Sequence, residues 1–183
     1  MALGPFATAA DLAARMGREL DEVEQSQAAR LLADASNLVR MAAGYQQISR
    51  VDNDVATLRG SDRIRMLLPQ RPVRGVSAVA GLTTAQWFWD GGQYLWRTGH
   101  NRWVGPVTVT YSHGYDPDDI AYQVAATVVC DAVKRVLINP GLIKQRSIDD
   151  YSETLADARA SLMPGEQDTI RQAFGVATWG VTS

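Results

Sequence analysis

The chain has 183 residues, 46% of them hydrophobic, and carries 18 basic against 20 acidic side chains for a net charge of −2. A chain of this length fits one domain, or one core with a small module, and can bury roughly 70% of its unfolded surface; the slightly negative charge argues against a protein whose main task is gripping a phosphate backbone through a basic face. Cys130 is the only cysteine, which excludes an internal disulfide, and no apolar run reaches membrane-spanning length.

Thr8 and Asp11 have the spacing of a capping pair and open a short helix that ends at Gly17, with Leu12 and Met16 on one face. Asp11 and Arg15 interrupt any basic-then-apolar leader, so synthesis in the cytoplasm is expected. Asp21 and Glu24 open a second helix. Its apolar positions Ala28, Leu31, Leu32, Ala35, Leu38, Val39 and Ala42 follow i, i+3, i+4, i+7 spacing, and Gly44 provides a left-handed exit.

From residue 45 to 111 the period shifts from about 3.6 to 2, and turn residues recur every eight positions or so, which predicts a meander of short antiparallel strands. Ile64, Met66 and Leu68 alternate with Arg63 and Arg65, and Val107, Val109 and Tyr111 alternate with Thr108 and Thr110, as half-buried strands do. Asn53-Asp54, Gly60-Ser61-Asp62 and Asp90-Gly91-Gly92 are the predicted turns, the last joining residues 86–89 to 93–97 as a hairpin. Pro69 and Pro72 end the strand at Leu68.

Asp116 is then placed to cap a helix whose first position is Pro117, with Asp118 and Asp119 at the positive end of its dipole. Along 118–138 only Gln123, Thr127, Asp131 and Lys134 make a polar stripe. The rest is apolar over more than half the circumference, the pattern of a helix buried on two sides. One side can be covered by the chain's own fold; the other, carrying Val124, Val128, Ala132 and Val136, is expected to meet a second copy. Asn139-Pro140-Gly141 stops the helix, a polar segment follows, and a final helix near 165–174 carries Ile170, Ala173 and Phe174 before a tail anchored by Trp179.

Chemistry-bearing patterns are sparse. His100 and His113 are the only histidines, each beside a glycine in a predicted turn with no zinc-like spacing around it. Adjacent Asp118 and Asp119 point in different directions and suit capping better than acid–base work. Asp149 and Asp150 read as solvated or interfacial, Cys130 as a small core residue, and no phosphate loop or nucleophile elbow is present. No catalytic, cofactor-binding or metal-ligating residue is assigned. Trp87, Phe88, Trp89, Tyr94, Trp96 and Trp103 crowd one hairpin region, where Trp87 and Trp89 share one face and Phe88 takes the other. With only Arg97 and Arg102 as cationic neighbours in the sequence, core packing or a protein interface is favoured over base stacking.

One ordered set of features carries a likeness to a known family. Leu68-Pro69, Arg71-Pro72-Val73, the strand and turn from Val107 through His113-Gly114-Tyr115-Asp116, the long helix closed by Asn139-Pro140-Gly141, and Ser147-Ile148-Asp149-Asp150-Tyr151-Ser152 follow one another as they do in that family. Over about residues 8–174 the chain resembles the head-to-tail connector (adaptor) proteins of long-tailed bacteriophages, especially those of actinobacterial hosts. The tryptophan-rich region 86–103 and the Trp179 tail depart from the family pattern.

The resemblance implies an α+β fold in which N-terminal helices (1–44) and C-terminal helices (116–174) form a helical core around an inserted antiparallel β module (45–115), with a tail at 175–183. It also implies a non-catalytic ring of twelve copies in the virion neck, between the portal protein and a downstream neck or tail-completion protein, through which genomic DNA passes without specific binding. The C-terminal part would reach the portal, making Tyr151 and Trp179 the contact residues. Two rivals stand beside this reading: another neck component, such as a stopper or tail-terminator ring, and a nucleic-acid-binding module using the tryptophan hairpin. Neither a cofactor nor a membrane is implied.

Overall fold

The computed structural model describes residues 3–138 and 160–175. The fold is α+β, with two compact units. One, helical, comprises described residues 3–45, 120–138 and 160–175; the other, of β structure, is the continuous stretch 46–119.

In the helical unit, α1 (Ala9–Met16) begins with a reciprocal capping box between Thr8 and Asp11 and ends at Gly17 with φ +71°, so both ends satisfy their backbone groups locally. The second helix, α2 (Glu22–Ala42), repeats the device with Asp21 and Glu24. Its buried face is Ala28, Leu31, Leu32, Ala35 and Val39, while Leu38 and Ala42 are half-buried. At the end of α2 the left-handed exit spans two residues, Gly44 at φ +75° and Tyr45 at +61°.

The long helix α3 (Ile120–Ile138) packs against α1, α2 and the C-terminal α4 (Pro164–Ala173). Asp116 does not cap it as the sequence predicts. Residues 116–119 form a separate turn in which Asp119 Oδ2 accepts from the Asp116 N–H at 2.8 Å, and the helix starts at Ile120. Asp119 is also held by Arg74 at 2.6 Å, so its carboxylate is committed to the turn.

In the β unit, six antiparallel strands divide between two sheets. The first has the order β1 (Val51–Arg59), β6 (Pro106–His113), β3 (Val73–Val79); the second has β2 (Arg65–Leu67), β5 (Tyr94–Arg97), β4 (Trp87–Trp89). In each sheet the strand that comes last in sequence takes the centre or lies beside its hairpin partner, so the connections are not strictly consecutive. Central placement explains why β6 alternates so cleanly: Val107, Val109, Tyr111 and His113 are buried, and Thr108, Thr110 and Ser112 are half-exposed. One apolar core joins the inner faces of both sheets, with Met66, Trp87, Leu95 and Trp103 from one side and Val79, Val109 and Tyr111 from the other.

Two local expectations are corrected. Asn53 is not a turn residue but a bulge within β1, at φ +54° with a register shift between Val51 and Asp54. His113 is not a turn residue either; it closes β6, is wholly buried, and sits 3.1 Å from Asp54 through Nε2. Gly114 after it has φ +90°, and a Cβ there would meet the carbonyl oxygens of Ser49 and Ile48, so only glycine fits where the chain leaves β6.

Candidate functional site

The side chains expected to meet a second copy lie mostly inside the chain's own helical unit. Val128, Ala132 and Val136 are buried there, and Val124 is half-buried. This corrects the reading of α3 as a helix with one uncovered apolar side: α1, α2 and α4 together cover it. The polar stripe explains how. Asp131 receives a forked pair of hydrogen bonds from Arg15 of α1 at 2.7 and 2.9 Å, Lys134 Nζ donates to the Arg15 carbonyl, and only Gln123 and Thr127 are left fully exposed. Arg135 makes the same kind of fork to Glu166 of α4, at 2.6 and 2.8 Å. Cys130 is buried among these helices, and burial pushes its thiol up to about 11, so it is chemically quiet near neutral pH.

Tyr151 and Trp179 lie outside the described residues, as do Asn139-Pro140-Gly141 and Ser147–Ser152. Of the catalytic candidates weighed and set aside, Asp118 is exposed and Asp119 is bonded to Arg74, while His100 stands in an exposed turn at φ +60°. Among the described residues no group of three or more His, Cys, Asp or Glu side chains could hold a metal ion, and no helix is long and apolar enough to cross a membrane.

What the structure assembles instead is an exposed face on the second sheet of the β unit. Trp87 points inward, with Trp89 half-buried beside it, and Phe88 points outward, as the alternation predicts. Across the strands Phe88 pairs with Trp96, whose ring is nearly parallel to it at 6.1 Å between centroids, and Trp96 pairs with Arg65 of β2. Leu67 and Tyr94 form the next row, and the Arg65 guanidinium lies over the Tyr94 ring at 4.9 Å. Phe88 and Leu67 keep 49% and 52% of their surface exposed. A shallow depression of about 610 Å³ continues this face past Arg63, Ile64, His100 and Arg102.

Arg63 and Arg65 therefore join the aromatic residues, which the hairpin sequence alone does not suggest. The signal was present in the alternation: Arg63 and Arg65 share a face by period 2, and pairing of β2 with the hairpin carries that face to the aromatics. The two carboxylates beside them are engaged, Asp62 with Arg102 at 3.7 Å and Asp90 with the Trp96 indole N–H at 2.9 Å. Arg63 and Arg65 form no ion pair among the described residues.

Charge is unequally shared between the units. Residues 46–119 hold eight arginines and seven carboxylates, whereas the remainder of the chain holds ten cations and thirteen carboxylates. The helical unit leaves its own apolar side chains in water, notably Val23 (65% exposed), Met41 and Ile120 (80%). Compared with known proteins, the chain matches no family model and no curated protein.

Proposed function

We propose that the chain is a head-to-tail connector (adaptor) of a tailed bacteriophage: a ring of identical copies beneath the portal that extends the DNA channel and docks the next neck or tail component. The supporting observation is the presence of large exposed apolar side chains on both units of one chain, Val23, Met41 and Ile120 on the helical unit and Leu67 and Phe88 on the β unit. A closed ring needs a heterologous interface, in which one surface meets a different surface of the next copy, and exposed apolar side chains on two different units offer different positions for the two halves of such a contact. The order of elements, helices interrupted by an antiparallel β insert and resumed after the chain leaves β6 at Gly114, agrees with the family likeness of the sequence.

The proposed action is geometric and electrostatic, without a catalytic step, cofactor or metal. Copies, twelve by analogy with the family, close around the DNA path. A lumen that is acidic or neutral overall repels phosphates enough to let DNA slide, whereas a basic lumen would retain it with strong salt dependence. Tyr151 and Trp179 are the proposed portal contacts, and the ring belongs to the virion neck.

The test is to measure the mass of the purified full chain over a wide concentration range and to locate the chain in purified virion necks by electron microscopy with a specific label. Rings beneath the portal are the expected result. Single unassociated molecules in solution together with unlabelled necks would overturn the proposal. A second reading, single-stranded nucleic-acid binding, is favoured by the arginines beside Trp96 and Tyr94; tight, salt-sensitive quenching of tryptophan fluorescence by an oligonucleotide would support it.

A further inference from the structure

Arg63 and Arg65 are exposed cations that form no ion pair among the described residues, Arg65 lying over the Tyr94 ring, beside the exposed side chains of Leu67 and Phe88. Among the described residues of the helical unit the carboxylates are almost all engaged: Asp131 with Arg15, Glu24 with Arg18, Asp34 with Arg30, Glu166 with Arg135, Asp168 with Arg171, and Asp11 and Asp21 in helix caps. Glu19 and Glu22 are the exceptions among the described residues of that unit. Both are exposed, both lack an ion pair, and they flank the start of α2 next to the protruding Val23. Among the described residues each unit thus carries two neighbouring like charges that form no ion pair, beside exposed apolar side chains, and the two pairs have opposite sign.

We propose that the arginine-aromatic face of the β unit docks onto the Glu19–Glu22 corner of α2 in the next copy of this chain, forming the heterologous contact that closes the ring. Two guanidinium groups meet two carboxylates at the rim, and Leu67 and Phe88 cover Val23 at the centre. Tyr, Trp and Arg are the residues that most often anchor protein interfaces, and opposed charge fixes register and speeds encounter. A protein occupant suits the face better than a strand of bases, because Phe88 and Trp96 already stack on each other and Arg65 covers Tyr94, which leaves fewer open ring faces. The inference rests on the connector reading and names the surfaces that the ring would use.

The test uses full-length chains with charge reversals: Arg63→Glu with Arg65→Glu in one variant, Glu19→Arg with Glu22→Arg in another, and all four together in a third. All sites are exposed, and circular dichroism checks that each variant folds. The wild-type chain is expected to self-associate by light scattering or sedimentation, each double variant alone to associate at least tenfold more weakly, and the two mixed 1:1 to recover association, as does the quadruple variant by itself. Recovery on mixing requires contact between copies and would not follow from a contact within one chain.

Unchanged association of both double variants overturns this docking surface while leaving the ring intact. Failure of the mixture to recover overturns it too. A wild-type chain that does not associate at any concentration overturns the docking surface, and labelled virion necks would then still uphold the connector reading. Quenching of the wild type by a single-stranded oligonucleotide, lost in the Arg63→Glu, Arg65→Glu variant whose association is intact, assigns the face to nucleic acid instead.

Discussion

Arg18 and Glu24 show how a single pair can carry several local duties. Arg18 forks to both oxygens of Glu24, which also accepts from the Asp21 N–H to complete the capping box of α2. The Arg18 guanidinium, followed by that backbone hydrogen bond, holds the Glu24 carboxyl at about 2, well below its ordinary 4.5. A carboxylate with a depressed native value stabilises the fold above its unfolded value and loses that contribution as pH falls through the native one. The advantage of wild type over Glu24→Gln in urea unfolding is therefore expected to be full at pH 6, to shrink from about pH 4.5 downward and to be lost below about pH 2. A difference that stays constant with pH would show that the charge of Glu24 is not what stabilises the helix start. The capping residues here were readable in the sequence because caps are local, set by residues three apart. His113 was not readable, since its partner Asp54 lies on another strand and a neighbouring glycine imitates a turn.

At the scale of elements, α3 was legible as a buried helix, but what buries it was not. An apolar circumference reports how much surface must be covered and not by whom; Arg15 on α1 and Glu166 on α4, which clamp the polar stripe and the Arg135 edge, are distant in sequence. Val128 discriminates the two arrangements. Val128→Asp would place an unpaired carboxylate in the chain's own core, at a cost of about 3–5 kcal/mol, and is expected to unfold or severely destabilise even a single molecule. Gln123→Asp on the exposed side of the same helix should change stability by no more than about 0.5 kcal/mol. Thermal melts of both variants check this. If Val128→Asp kept its melting temperature and lost only association, that side chain would face a neighbouring copy after all. In the second sheet β2 and β4 showed inward and outward residues by alternation, yet the combined arginine-aromatic face depends on which strand pairs with the hairpin, a fact of topology that alternation leaves open.

For the whole molecule, net charge conceals its distribution. The total of −2 arises from a helical unit that is net negative and a β unit that is net positive by one, with seven arginines against only Asp62 and Asp90 between residues 57 and 104. Binding to duplex DNA weakens with salt in proportion to the number of phosphates neutralised, so the salt slope counts the cations free to engage. If Arg63 and Arg65 are matched to carboxylates of a neighbouring copy, assembly leaves each copy with fewer free cations, and the slope per copy is expected to be smaller in the assembled form than in the single chain. The single chain is expected to bind duplex DNA no more tightly than about 10⁻⁴ M at physiological salt, the weak end of non-specific association. Fluorescence anisotropy of a labelled duplex at several salt concentrations, with dilute and with assembled protein, measures both quantities. A steeper slope per copy after assembly would mean that ring closure gathers arginines onto the DNA path, which is incompatible with a channel through which the genome must slide.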